Sequence, residues 1–97
     1  MEVYPKINSV KSLFNLRLLV TFQNQTQKIY DCNPLLIHEH FKPLKDLGLF
    51  NAVRVDPGGY GVSWNDNIDL AESELWINGK VAEEIVQPDL NGEKSVP

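Results

Sequence analysis

At 97 residues, 42% hydrophobic and 23% charged, with a formal net charge of −4, the chain has the length and composition of one ordinary globular domain and is too short for two. Those fractions exclude a collagen, a fully disordered chain and a coiled coil, and the single cysteine, Cys32, excludes an internal disulfide and a four-cysteine zinc site. Charge is uneven: residues 1–50 carry six basic side chains against four acidic ones, a net of +2, whereas residues 51–97 carry three against nine, a net of −6.

The start, Met1-Glu2-Val3-Tyr4-Pro5, lacks the basic and apolar regions of a signal peptide, and no apolar run approaches the ~20 residues that span a membrane. A cytoplasmic protein in a reducing compartment is expected. Ile7–Ser12 reads as a first strand. Phe14, Leu16, Leu18, Val20 and Phe22 fall on alternate positions and predict one apolar face of a second strand. The polar stretch Gln23-Asn24-Gln25-Thr26 reads as a hairpin turn, and Gln27–Cys32 as the third strand. Asn33-Pro34 predicts a helix start with Asn33 as the cap, running to about His40. Pro43 interrupts it, and Leu44 to Gly48 adds one turn ended by glycine.

Leu49–Asp56 and Tyr60–Trp64 are then two strands around Asp56-Pro57-Gly58-Gly59, where proline and glycine suit successive corners of a turn. Asp69 or a neighbour caps a second helix, with Glu72 and Glu74 in its first turn and Asn78-Gly79 as its stop. The order β-β-β-α-β-β-α predicts an α+β domain: a small antiparallel sheet of about five strands with two short helices. Residues 1–80 are expected to form that domain and 81–97 an extension, mobile from about Pro88.

No constellation carries a catalytic or metal signature. His38 and His40 sit two apart, so on a helix they point to different sides. Asn65, Asn67 and Asp69 match the first positions of a calcium loop, but Leu70 stands where glycine is needed and Trp76 where a bidentate glutamate is needed. Gly58-Gly59-Tyr60-Gly61 lacks the spacing and the following helix of a phosphate-binding loop. Ser63, Ser73 and Cys32 lie in no nucleophile motif. No enzyme activity, metal or cofactor is therefore expected.

Aromatic residues set among carboxylates are what a protein interface for a basic partner uses, and residues 60–76 have that character. The candidate contact residues are Asp66, Asp69, Glu72 and Glu74, with Trp64 or Trp76 if either is exposed; the competing reading buries both tryptophans in a small core. A second reading places Lys6, Lys11, Arg17 and Lys28 on the solvent face of the first three strands as a nucleic-acid surface. A third is a homodimer joined through sheet edges.

An alternating strand, LRLLVTF, leads to Tyr30-Asp31, Leu35-Leu36, a short helical turn, a strand at Phe50, then Trp64, Asp69-Leu70 and Leu75 before an aromatic. In this order and spacing, over residues 5–80, the chain resembles the bacterial family called domain of unknown function 2442. Asn67 stands where many members place glycine, and asparagine also tolerates the left-handed conformation. The resemblance implies a small α+β domain with no established enzymatic activity, often encoded beside another small protein in arrangements resembling toxin–antitoxin pairs. It also implies, in some members, a C-terminal helix-turn-helix, for which residues 81–97 are too short and too polar. The expectation is thus a non-enzymatic interaction module, antitoxin-like, for a small basic protein encoded by a neighbouring gene.

Overall fold

The computed structural model describes residues 3–82. Three strands come first, β1 (Ile7–Leu13), β2 (Arg17–Phe22) and β3 (Gln27–Asp31), followed by two 3₁₀ turns (Asn33–Ile37 and Glu39–Lys45) and a one-turn helix, α1 (Leu47–Phe50). Then come β4 (Arg54–Val55), a 3₁₀ turn (Pro57–Gly59), β5 (Gly61–Ser63), β6 (Asp69–Ala71), α2 (Glu72–Asn78) and β7 (Lys80–Val81). All strand pairs are antiparallel, in a four-stranded sheet ordered β1-β2-β3-β7 and a three-stranded sheet ordered β4-β5-β6.

The α+β class is as the sequence predicts, while the single sheet of about five strands resolves into two sheets. The added strands β6 and β7 are three and two residues long, too short for a period-two pattern to register. Val81 belongs to the four-stranded sheet through its pairing with Lys28. The expected mobility from about Pro88 lies outside the described residues. No described helix is long and apolar enough to cross a membrane.

Leu18, Val20 and Phe22 of β2 point into the core as predicted, where they meet Ile7, Tyr30, Leu44, Phe50, Val62 and Leu75. Each large side chain so buried contributes about 1.5–3 kcal/mol. Phe14 and Leu16 share the same sequence parity but not the same strand. The chain turns at Phe14-Asn15-Leu16, leaving Phe14 exposed, and Asn15 and Leu16 take φ values of 62° and 58°.

The middle of the chain differs most from expectation. Asn33 caps nothing; its Nδ2 donates to the Asn15 carbonyl (2.7 Å) and to Asp31 Oδ1 (2.8 Å), tying the third strand's end to the β1–β2 turn. The expected helix from Pro34 is instead a pair of 3₁₀ turns, with Pro43 inside the second. Gly48 does not end a helix: Asp46 caps α1 by accepting the Gly48 N–H at 2.9 Å, so Leu49 and Phe50 are helical where a strand was expected. Asp69 is not a cap either but the first residue of β6; α2 starts after Ala71 without a side-chain cap.

The hairpin at Asp56–Gly59 forms as predicted, with Gly58 at φ 79° and Gly59 at φ 78°. A Cβ on Gly59 would stand 2.5 Å from the Ile7 carbonyl oxygen, so this glycine lets the hairpin seat directly on β1.

Candidate functional site

The aromatic-acidic stretch divides into a buried half and an exposed half. Trp64 is 3% exposed; its indole N–H donates to the Phe50 carbonyl at 3.1 Å and its ring stacks on Phe50 at 6.0 Å between centroids. That satisfied donor makes Trp64 a core residue and removes it from the candidate contact surface. The following turn hangs from it. Asn65 Oδ1 accepts the N–H groups of Asn67 (2.8 Å) and Ile68 (2.9 Å), and the Trp64 N–H reaches the Ile68 carbonyl (2.9 Å). Asn67 needs no left-handed conformation here: it is absent from the described residues with positive φ. With Ile68 buried beneath, the turn projects Asp66 and Asp69 into solvent. Neither carboxylate has a hydrogen-bond or ion-pair partner among the described residues.

Glu72 and Glu74 are used internally. Lys6 Nζ lies 3.2 Å from Glu72 Oε2 in a partly buried ion pair and 4.5 Å from the centre of the exposed Tyr60 ring. Glu74 Oε2 accepts from the Tyr30 hydroxyl (2.7 Å) and from Asn78 Nδ2 (2.9 Å). Burial, and after it this bond to Glu74, pushes the Tyr30 phenol well above its usual range. Trp76 is half-buried, edge-on to Phe22 at 5.0 Å, with Lys28 Nζ 3.9 Å above its ring.

The four basic candidates do not share one face. Lys28 is in register with Val20 and Val81, which puts it on the core side of the sheet, capped by Trp76. Lys11 is in register with Leu19, hence with Ile29 and Lys80, on the opposite side, where Arg17 also lies. Lys6 precedes β1 and is paired with Glu72. Period-two reasoning cannot see this, because the faces of three strands align only once their register is known.

Two concavities flank the β1–β2 turn. The first, of about 830 Å³, lies between that turn and α1 and is lined by Leu13, Phe14, Arg17, Lys45, Leu47 and Phe50 among others. The second, of about 670 Å³, lies beside β3 and is lined by Arg17, His38 and Lys80 together with Asp31 and Glu74, Arg17 and Asp31 being cross-strand neighbours. Sequence reading missed both, and the one local signal was Phe14, an aromatic just ahead of the tight turn. No group of three or more histidine, cysteine, aspartate or glutamate side chains among the described residues could hold a metal ion.

No curated protein and no solved structure matches the chain. The family described as "Protein of unknown function (DUF2442)" matches residues 7–80, most of the chain, and the chain belongs to that family.

Proposed function

We propose that the protein is a non-enzymatic protein-interaction module whose 65–69 turn receives a small basic protein, in an antitoxin-like arrangement. The observation that supports this most directly is the pair Asp66 and Asp69. Both are exposed and without an internal partner among the described residues, on a turn held by two hydrogen bonds to Asn65 and anchored by buried Trp64 and Ile68. A rigid anionic projection meets a cationic surface with little ordering cost on its own side. Glu72 and Glu74 shape the neighbourhood and do not make the contact, since each already serves a group within the fold. The exposed carboxylates of Asp66 and Asp69 themselves attract a basic partner to this turn.

A nucleic-acid surface is the second reading, favoured only by Lys11, Arg17 and Lys80 sharing the outer side of the four-stranded sheet.

The test is affinity capture from host lysate with the wild-type chain and with an Asp66→Lys, Asp69→Lys variant, each with and without nuclease. The expected result is a small basic protein that survives nuclease and is lost with the variant. Nucleic acid that disappears on nuclease treatment, with no protein dependent on the two aspartates, would overturn the reading in favour of the second.

A further inference from the structure

The β1–β2 turn exposes apolar surface that the described fold does not cover. Phe14 is 86% exposed and Leu47 is 62% exposed, and both line the first concavity together with Leu13 and the edge of Phe50. The opening is braced on both sides: Ser12 Oγ donates to Asn51 Oδ1 (2.8 Å), joining β1 to the end of α1, and Asn33 Nδ2 holds the Asn15 carbonyl (2.7 Å). The turn that carries Phe14 outward contains Leu16 at φ 58°, a conformation an L side chain rarely adopts.

The charged side chains that line this groove are both cations, with Asp31 the register partner of Arg17 on the neighbouring strand. Arg17 and Lys45 line it, both exposed and neither in an ion pair among the described residues, and no described carboxylate lines it. We propose that the groove docks an acidic amphipathic segment of a partner protein, with an apolar side chain seated between Phe14 and Leu47 and carboxylates against Arg17 and Lys45. The sign of the charge selects against a basic segment. A phosphate backbone would engage the two cations but would leave Leu13 and Leu47 without a role. Large exposed apolar residues beside a polar rim are the usual composition of a protein-binding patch. This inference does not rest on the acidic turn at 65–69, which carries the opposite charge.

The test is selection of short random peptides displayed on phage against the immobilised full chain, followed by affinity measurement of the enriched peptides. Expected are peptides pairing an aliphatic or aromatic anchor with nearby Asp or Glu. Their binding should fall by roughly tenfold or more in Phe14→Ser and again in Arg17→Glu with Lys45→Glu, and stay unchanged in Asp66→Lys with Asp69→Lys. Thermal melting of each variant confirms that it is folded. Basic enriched peptides, binding indifferent to Phe14→Ser, or no enrichment at all would overturn the proposal. So would light scattering that shows self-association abolished by Phe14→Ser, because a second copy would then be the occupant.

Discussion

Two turns in this small protein each carry a large aromatic residue next to polar ones, and the fold treats them in opposite ways. Trp64 opens the 65–69 turn and is 3% exposed; Phe14 opens the β1–β2 turn and is 86% exposed. Trp64 goes inward because the Phe50 carbonyl is placed to accept its indole N–H and the Phe50 ring to stack on it. Phe14 has no such receiver: the tight turn through Asn15 and Leu16, both in the left-handed region, leaves it exposed while Leu16 packs against the core. The 65–69 turn therefore shows carboxylates and asparagines to solvent and no apolar residue, and the β1–β2 turn shows an apolar residue beside cations. One molecule presents two surfaces of opposite charge and different chemistry.

The contrast is sharpest in stability. Trp64→Ala should cost about 3–5 kcal/mol, read as a lower urea midpoint, because it empties a stacked core position and leaves the Phe50 carbonyl without its donor. A loss below about 1 kcal/mol would mean that Trp64 is not the anchor of the acidic turn.

Two buried core groups, Tyr30 and Cys32, also titrate. Burial, and after it the Asp31 charge, pushes the Cys32 thiol up to about 12 from an ordinary 9.0, and Tyr30 is raised as well. Both groups hold their protons more tightly folded than unfolded, so their contribution is complete below about pH 9 and declines as pH rises toward about 12. By about pH 10.5 the loss from Cys32 alone should reach roughly 2 kcal/mol, and a urea midpoint flat from neutral pH to that point would contradict the burial.

Smaller effects are expected at the 56–59 hairpin and at the two turns. Gly59→Ala should destabilise by more than ~1 kcal/mol, since the φ of 78° and the Ile7 carbonyl both oppose a Cβ. Asn65→Ala removes the acceptor of two backbone N–H groups and should cost about 1 kcal/mol, while weakening capture of a basic partner by loosening Asp66 and Asp69. Phe14→Ser should change stability by no more than about 0.5 kcal/mol; a larger loss would mean that Phe14 packs in solution.

How much of this was legible in the sequence depends on the range of the interactions involved. The alternation of Leu18, Val20 and Phe22 and the Asp56-Pro57-Gly58-Gly59 turn are local, and both were readable. The helix at Leu47–Phe50 was not, because the short stretch Leu47–Phe50 suits either a strand or a helix and the Asp46 cap is what favours the helix. At the candidate surface the exposure of Asp66 and Asp69 agreed with the sequence reading, while the use of Glu72 and Glu74 did not. Their partners, Lys6 and Tyr30, lie 66 and 44 residues away along the chain, beyond any pattern of spacing. The groove at Phe14 was invisible for the same reason: its walls come from β1 and α1, joined across 39 residues by the Ser12–Asn51 bond.

The most direct test compares three baits in one affinity-capture experiment from host lysate: the wild-type chain, the Asp66→Lys, Asp69→Lys variant, and the Phe14→Ser, Arg17→Glu variant. The predicted result is that the first variant loses a small basic protein and the second loses a different protein bearing an acidic segment, each keeping what the other loses. Loss of the same protein from both variants, or identical recoveries from all three baits, would contradict the assignment of two independent binding surfaces.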